Sequence, residues 1–338
     1  MIRKILSCAI PDAGRRWLSW HFRLFRSCFS GYVSASSVGV RHGGFWRIPS
    51  AYLSYDYGLV YSAEHKVLKE LSPDIGGAPI NHPCFYQRKL PATISVDQPI
   101  FLGTGHAQQV YFHWMFDIVP ILHDYQSSFG DGVLCYTNTE FPFQKETLLR
   151  LGIMDRVVPA SADRALYSPL VIATGCQRDF GVPTAAVSDL LRTLFLHGDT
   201  DQPPLRRIFV GRRGAGSRRL LNEDALAGKL EQLGFDSINC GRLTIAEQAR
   251  LFSSASIIVG VHGAALTNIV FAKPGAVVIE LMPPNYSHPC YEQLSFVRRL
   301  RFNRLVGFSD CDHGLHDFSI DVGEVVEAII CMSKGAGE

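Results

Sequence analysis

His113 and Asp117 stand four residues apart in the run Tyr111-Phe112-His113-Trp114-Met115-Phe116-Asp117-Ile118-Val119-Pro120. On a helix that spacing puts both side chains on one face. An imidazole oriented by a carboxylate is a standard general base, because the carboxylate fixes the ring tautomer and leaves the far nitrogen to take a proton. The same spacing also describes a buried pair that only holds a helix together, and spacing alone leaves both readings open. Pro120 is expected to kink or end the helix.

A second constellation is His262-Gly263-Ala264-Ala265, placed where the apolar run SIIVGV gives way to the short helical pattern of GAALTNIVFA. In open α/β sheets ligands lie beyond the carboxyl ends of the strands. A helix N-terminus there offers N–H groups and about half a positive charge, which suits a phosphate. Gly263 and Ala264 keep side chains out of the way of a diphosphate. His262 is expected to donate to it, with Asn268 doing so one turn later. Glu280, at the end of the next strand, is expected to accept hydrogen bonds from a ribose diol. A tight turn built only for packing would use the same small residues.

The third is GRRGAGSRR, residues 211–219, directly after the strand-like RRIFV. Arg212, Arg213 and Arg218 would then rise at the same carboxyl edge as His262. Guanidinium groups bind phosphate oxygens in pairs, so the cluster fits a diphosphate, although a solvated arginine loop would look alike. Its glycines do not match G-x-G-x-x-G and no Walker lysine follows, which argues against NAD and against ATP hydrolysis. Two D-x-D triplets, Asp199-Thr200-Asp201 and Asp310-Cys311-Asp312, follow no convincing strand. They read as surface loops, and no metal is expected.

These residues need a sheet to carry them. From Arg206 onward strands and helices alternate: RRIFVG, NEDALAGKLEQLG, FDSINC, LTIAEQARLFSSA, SIIVGV, GAALTNIVFA and AVVIEL. That alternation means βαβ units and a parallel sheet. Asn222 and Thr244 are suited to cap the first two helices, Glu247 completes a capping box, and Gly234 sits where a helix should stop. The half before the polar linker at 197–204 is weaker. It offers short strands and loops over Val38–Pro99, a strand near Pro99–Leu102 and a helix over Val110–Phe129. Further short strands at GVLCYT, DRVVPA and SPLVIATG follow, with helices near 144–151 and 185–196.

A chain of 338 residues suits two domains, and 47% hydrophobic with 19% charged residues describes a globular protein. A formal charge of +2 gives no support to nucleic-acid binding. The nine cysteines include no C-x-x-C pair, and a reducing compartment is expected. No apolar run reaches the eighteen residues of a membrane span. Residues 15–30 (RRWLSWHFRLFRSCFS) place aromatic and apolar side chains on one side of a helical wheel and four arginines on the other, with only His21 misplaced. That suits a helix in a membrane interface or one that covers a domain. A cytoplasmic protein is expected, peripheral at the inner face of the membrane if the first reading holds.

The three clusters together resemble glycosyltransferase family 61, formerly domain of unknown function 563. YFHWMFDIVPIL resembles its Tyr/His-Trp…Asp…Pro motif, RRIFVGRRGAGSRRLLNED its arginine-rich segment ending in Asn-Glu, and VGVHGAALTNIVFAKPGAVVIEL its main signature. The resemblance covers Tyr111 to Leu281 and implies an α/β, GT-B-like fold: two facing Rossmann-like domains with parallel sheets. The expected division is an amphipathic segment 1–37, an acceptor-side α/β domain 38–196 and a nucleotide-sugar-binding domain 205–338.

The resemblance further implies inverting transfer from a nucleotide-sugar without a metal or other cofactor. The acceptor would be a glycan or lipid-linked glycan, as in bacterial surface or capsular polysaccharide assembly. Arg212, Arg213, Arg218, His262, Gly263, Ala264, Asn268 and Glu280 would bind the donor, and His113 or Asp117 would be the base. A non-catalytic nucleotide-sugar-binding protein and a nucleotide-sugar epimerase are the alternatives.

Overall fold

The computed structural model describes residues 28–55, 58–72, 83–86, 89–105, 107–174, 181–196, 203–309 and 316–334. Residues 15–27 of the amphipathic segment and both D-x-D triplets lie outside them. The described residues fall into two compact units. The first draws on Met1–His106, Gly130–Thr137 and Arg156–Cys176, the second on Ala107–Phe129, Asn138–Asp155 and Gln177–Glu338.

The first unit holds ten strands: β1 Gly31–Val33, β2 Val40–His42, β3 Phe45–Ser54, β4 Leu59–Ser62, β5 Lys66–Leu68, β6 Ala92–Ser95, β7 Ile100–Leu102, β8 Leu134–Thr137, β9 Val157–Pro159 and β10 Arg164–Thr174. They form one sheet in the order β1-β5-β4-β3-β10-β7-β8-β9, with β2 beside β3 and β6 beside β10. The expected parallel sheet is here a mixed one. β6, β7, β8, β9 and β10 pair in parallel, whereas β2, β3, β4 and β5 form an antiparallel run and β3 joins β10 antiparallel. The reason is local. Gly43 and Gly44, both at positive φ, make a two-residue hairpin turn between β2 and β3, and so short a link permits only antiparallel neighbours.

The second unit is built on β11 Arg206–Val210, β12 Phe235–Ile238, β13 Ala255–Val261, β14 Val277–Met282 and β15 Arg301–Val306. All neighbours pair in parallel, in the order β12-β11-β13-β14-β15. Strands β13 and β14 read as nearly unbroken apolar runs, as strands buried on both faces do. Helices α4 (Glu223–Glu231) and α7 (Val322–Lys334) put Leu226, Leu230, Val325 and Ile329 into one core with Phe209, Val259 and Ile279. Helix α5 (Ile245–Ser253) packs against a 3-10 helix at Ala264–Phe271, which also contacts α6 (Cys290–Val297).

Three earlier helices belong to this unit as well. Helix α1 consists of α-helical Tyr111–His113, a π-helical turn Trp114–Ile118 and α-helical Val119–Ser128; α2 is Pro142–Arg150 and α3 is Ala185–Phe195. The compact units therefore do not divide at the 197–204 linker between the expected domains 38–196 and 205–338. Side-chain contacts account for the difference. The Glu146 carboxylate accepts the backbone N–H groups of Ile245 (2.7 Å) and Ala246 (3.0 Å) at the start of α5. Arg192 donates to the Phe271 carbonyl at 2.7 Å, and the Phe195 and Phe271 rings meet edge to face.

Pro120 does not end α1. It stands in the first turn after the π-helical segment, where a missing N–H costs little. The Thr244–Glu247 capping box is present, and Gly234 adopts φ +78° at the end of α4. Asn222 makes no cap bond. Its side chain instead donates to the Ile320 carbonyl (2.8 Å) and accepts the Ile320 N–H (3.1 Å).

Candidate active site

The strand order reverses direction between β11 and β13, and at such a switch point the loops leaving neighbouring strands separate and open a crevice at the carboxyl edge. The loop after β11 carries the arginines. Its backbone is held by Glu223, whose carboxylate accepts the Arg212 N–H at 2.8 Å and lies so close to Gly211 that any side chain there would overlap it. The Arg212 side chain donates Nε–H to the Ser217 carbonyl at 3.0 Å and lays its guanidinium against Gly263, where a Cβ would overlap it. The loop after β11 and the turn after β13 thus meet through the absence of one side chain.

Arg218, at φ +56°, stacks its guanidinium 4.6 Å from the centre of the Tyr286 ring. Its Nε and Nη1 are buried with no hydrogen-bond partner among the described residues. Burial and then the like charge of Arg218 pull the Arg212 pKa down. Two half-buried cations held side by side favour an anion that bridges them. Arg213 stands apart from this pair: it is exposed, and its guanidinium is paired with Asp224.

His262 is buried at the tip of β13, with Nδ1 2.6 Å from Oε1 of Glu280. Glu280 has no exposed surface, and its other oxygen accepts Nε–H of Arg304 at 2.7 Å. The expected ribose contact by Glu280 is therefore corrected: both oxygens are occupied and the group is sealed from solvent. Asn268 is corrected in the same way. It is fully buried, its Nδ2 donates to Gln248 and to the Ala265 carbonyl, and its Oδ1 accepts the Tyr111 hydroxyl. Gly263 and Ala264 open the 3-10 helix beside Arg212 as the sequence suggests.

Helix α1 brings the first pair into the same unit. His113 Nδ1 lies 2.7 Å from Asp117 Oδ2. Asp117 is buried, and its Oδ1 accepts the Gly181 N–H at 2.8 Å. Gly181, at φ +73°, approaches so closely that a Cβ would stand 3.3 Å from His113 Cε1. The π-helical turn that contains Asp117 is an uncommon device, frequent at functional sites. With Asp117 accepting, the ring proton belongs on Nδ1, and Nε2 of the partly exposed imidazole carries the lone pair.

A wall of rings joins the two histidine pairs. Phe112 meets Tyr291 at 5.7 Å, Tyr291 meets His262 at 5.2 Å, and His262 meets Tyr286 at 4.9 Å. The Tyr291 hydroxyl donates to the Gly263 carbonyl at 2.6 Å and fixes the turn. His288 stands nearby, its pKa lowered first by burial and then by electrostatic interaction with the His262 and His113 imidazoles. Sequence reasoning missed Glu223, Tyr286, His288, Tyr291 and Arg304. The aromatic and proline-rich stretch PPNYSHPCY directly after β14 was a usable signal for three of them. Among the described residues no group of three or more His, Cys, Asp or Glu is arranged to hold a metal ion.

Sequence comparison with known proteins finds relatives of this chain. The family model for Glycosyltransferase 61 matches residues 111–279, half of the chain. The chain is 29% identical over 194 residues to a beta-1,2-xylosyltransferase of Oryza sativa subsp. japonica, covering 52% of this chain and 36% of that protein. It is 29% identical over 181 residues to the EGF domain-specific O-linked N-acetylglucosamine transferase of Drosophila melanogaster, covering 48% and 34%. A shorter stretch of 71 residues, 20% of this chain and 14% of the relative, is 39% identical to a xylan glycosyltransferase of Arabidopsis thaliana. The matches thus span little more than a third of these relatives at most. A match over half of its length, from the His113 helix to β14, places the chain in the glycosyltransferase 61 family.

Proposed function

We propose that the chain is an inverting glycosyltransferase of GT-B architecture that moves a sugar from a nucleotide-sugar to a glycan acceptor. The β11–β15 unit is its Rossmann-like donor half. One observation carries the reading: an imidazole backed by a buried carboxylate, His113 on Asp117, shares a compact unit with two adjacent half-buried guanidinium groups, Arg212 and Arg218. The first suits proton removal and the second a diphosphate.

In this reading Arg212, Arg218 and His262 meet the donor diphosphate, with Gly263 and Ala264 giving it access to the backbone. Nε2 of His113 takes the proton of the acceptor hydroxyl. The hydroxyl oxygen bonds to the anomeric carbon from the face opposite the leaving group. The bond from that carbon to the diphosphate breaks, and its electron pair stays on the phosphate oxygen. The arginines offset the charge that develops there. Asp117 holds the ring and stabilises the imidazolium. No metal is assigned a role, since the two arginines supply the positive charge.

The relatives' names point to pentosyl or N-acetylhexosaminyl donors. A polysaccharide or lipid-linked glycan, as in surface polysaccharide assembly, is the acceptor class this reading favours. A cytoplasmic enzyme that touches a membrane through residues 15–27 completes it; Phe29, on the same aromatic face of the sequence, is instead buried against Tyr61 and Phe85. Deleting residues 1–27 should then weaken sedimentation with anionic liposomes, and unchanged sedimentation removes the membrane contact.

The enzymatic test incubates the protein with a panel of nucleotide-sugars, with and without glycan acceptors, and measures nucleoside diphosphate release. Release that requires acceptor, and is lost in His113→Ala, supports transfer. An isomer or free sugar formed without acceptor indicates an epimerase. Binding without turnover indicates a non-catalytic sensor.

A further inference from the structure

Gly260, Glu280 and Arg304 are paired residues in one row across β13, β14 and β15. His262 lies two residues beyond Gly260, so its ring can reach back to Glu280, which stands between it and Arg304. The two bonds of Glu280 are short, 2.6 Å to His262 Nδ1 and 2.7 Å from Arg304 Nε, and the carboxylate is wholly buried. Arg304 is held in turn by Glu292 at 3.3 Å on α6 and by the Phe302 ring beneath it. Glu280, Glu292 and Arg304 all lie beyond the 111–279 stretch that the family model matches.

A buried carboxyl group that accepts from a guanidinium is ionised, and an ionised carboxylate only accepts. The proton on the His262–Glu280 contact must then sit on Nδ1. This leaves Nε2 as the ring atom available to a ligand. The Tyr286 and Tyr291 rings on two sides of the imidazole restrict its tilt. Other charged and titratable groups of this edge are Arg212, Arg218, His288, His113 and the buried Cys290 thiol, which interacts with both Glu280 and Arg304.

We propose that Arg304 is the positioning residue of this site: acting through Glu280, it holds the Nδ1–H of His262 in place and leaves Nε2 to take up a second proton and donate it in a hydrogen bond to the anion held by Arg212 and Arg218. Its ligand arm rests on the donor-site reading given above. The role differs from simple support of the fold because it predicts which ring nitrogen carries the proton.

The test uses the full chain labelled with nitrogen-15 and long-range proton–nitrogen spectra of the histidine rings, with His262 assigned by its loss in His262→Gln. Wild type should show a protonated Nδ1. In Glu280→Gln the side-chain amide can donate to Nδ1, and the neutral ring should switch its proton to Nε2. Arg304→Met should lose the fixed Nδ1–H signature and bind UDP and inorganic pyrophosphate roughly ten- to hundredfold more weakly, the usual scale for losing a partner that orients a ligating histidine. Arg304→Lys should restore most of both.

A wild-type ring protonated on Nε2, or an Arg304→Met spectrum and affinity equal to wild type, would overturn the proposal. If Arg304→Met fails to fold, the proton switch in Glu280→Gln decides, and its absence overturns the proposal. If the tautomers behave as stated but neither UDP nor pyrophosphate shifts Nε2 of His262, the positioning role stands and the donor-site reading falls.

Discussion

The hydroxyl of Tyr111 donates to Oδ1 of Asn268 across 2.9 Å, joining residues 157 positions apart. Tyr111 begins the helix that carries His113, and Asn268 lies in the 3-10 helix that follows His262. The bond therefore sets the base candidate at a fixed place relative to the turn after β13. Asn268 serves the site by holding its two halves together, with all of its polar atoms used inside the protein.

Tyr111→Phe leaves Oδ1 of a fully buried Asn268 without this donor. The variant should lose about 1–3 kcal/mol of stability, the desolvation cost of an unsatisfied buried acceptor. Urea unfolding of both proteins measures it, and an unchanged midpoint would mean that the bond does not hold the two helices.

Removing the base should affect turnover and spare donor binding. His113→Ala is expected to lower the transfer rate about 10²- to 10⁴-fold, the usual contribution of a general base. Asp117→Asn keeps the shape of the pair but can donate to Nδ1, which moves the ring proton to Nε2 and should be nearly as damaging. Wild-type rates in either variant, measured with saturating donor, would remove the pair from the mechanism.

Glu223 is expected to act through the arginine loop it holds. Glu223→Ala leaves the Arg212 N–H without its acceptor and opens the space beside Gly211. Donor affinity should fall even though Glu223 need not touch the donor. Glu223→Gln, which retains an acceptor oxygen, should be milder; equal losses would show that charge and not the loop bond is what matters.

His288 provides a signature in acid. Its pKa is lowered in the folded protein, by burial first and by His262 and His113 next. The unfolded chain therefore binds this proton more readily. Stability rises with pH through the window below about 6.5 and is lost as pH falls through it. His288→Gln should unfold at a urea midpoint that drops less than wild type between about pH 7.5 and about pH 5.5. A parallel drop in both proteins would mean that His288 is not held away from its proton.

Much of the second unit is legible in the sequence, because its local signals agree with one another. The apolar runs of β13 and β14, the Thr244–Glu247 box and Gly234 each mark an element where the structure has one. What stays hidden depends on pairing between distant strands. Glu280 at a carboxyl edge looks like a ligand contact until the β14–β15 register sets Arg304 beside it. Arg212 and Arg213 are neighbours in sequence, yet one turns inward against Gly263 and the other outward to Asp224, because Arg213 lies in the tight turn that Ala215 N–H closes on the Arg212 carbonyl. Asn222 looks like a helix cap and instead bridges to Ile320, a contact that spans 98 residues. In the first unit the Gly43-Gly44 turn was the readable sign of an antiparallel hairpin, and the expected parallel sheet passed over it.

Everything proposed for the donor site requires Arg212 and Arg218 to hold the diphosphate. Calorimetric titration of UDP, GDP, ADP and CDP into wild type and into Arg212→Ala, Arg218→Ala and Arg213→Ala tests it most directly. Wild type should bind at least one of these nucleotides saturably. Removing either half-buried arginine should weaken it roughly ten- to hundredfold, as expected for losing charge-assisted hydrogen bonds worth about 1.5–3 kcal/mol. The exposed Arg213 should be dispensable. Binding that survives the loss of Arg212 and of Arg218, or that depends on Arg213 instead, would contradict it.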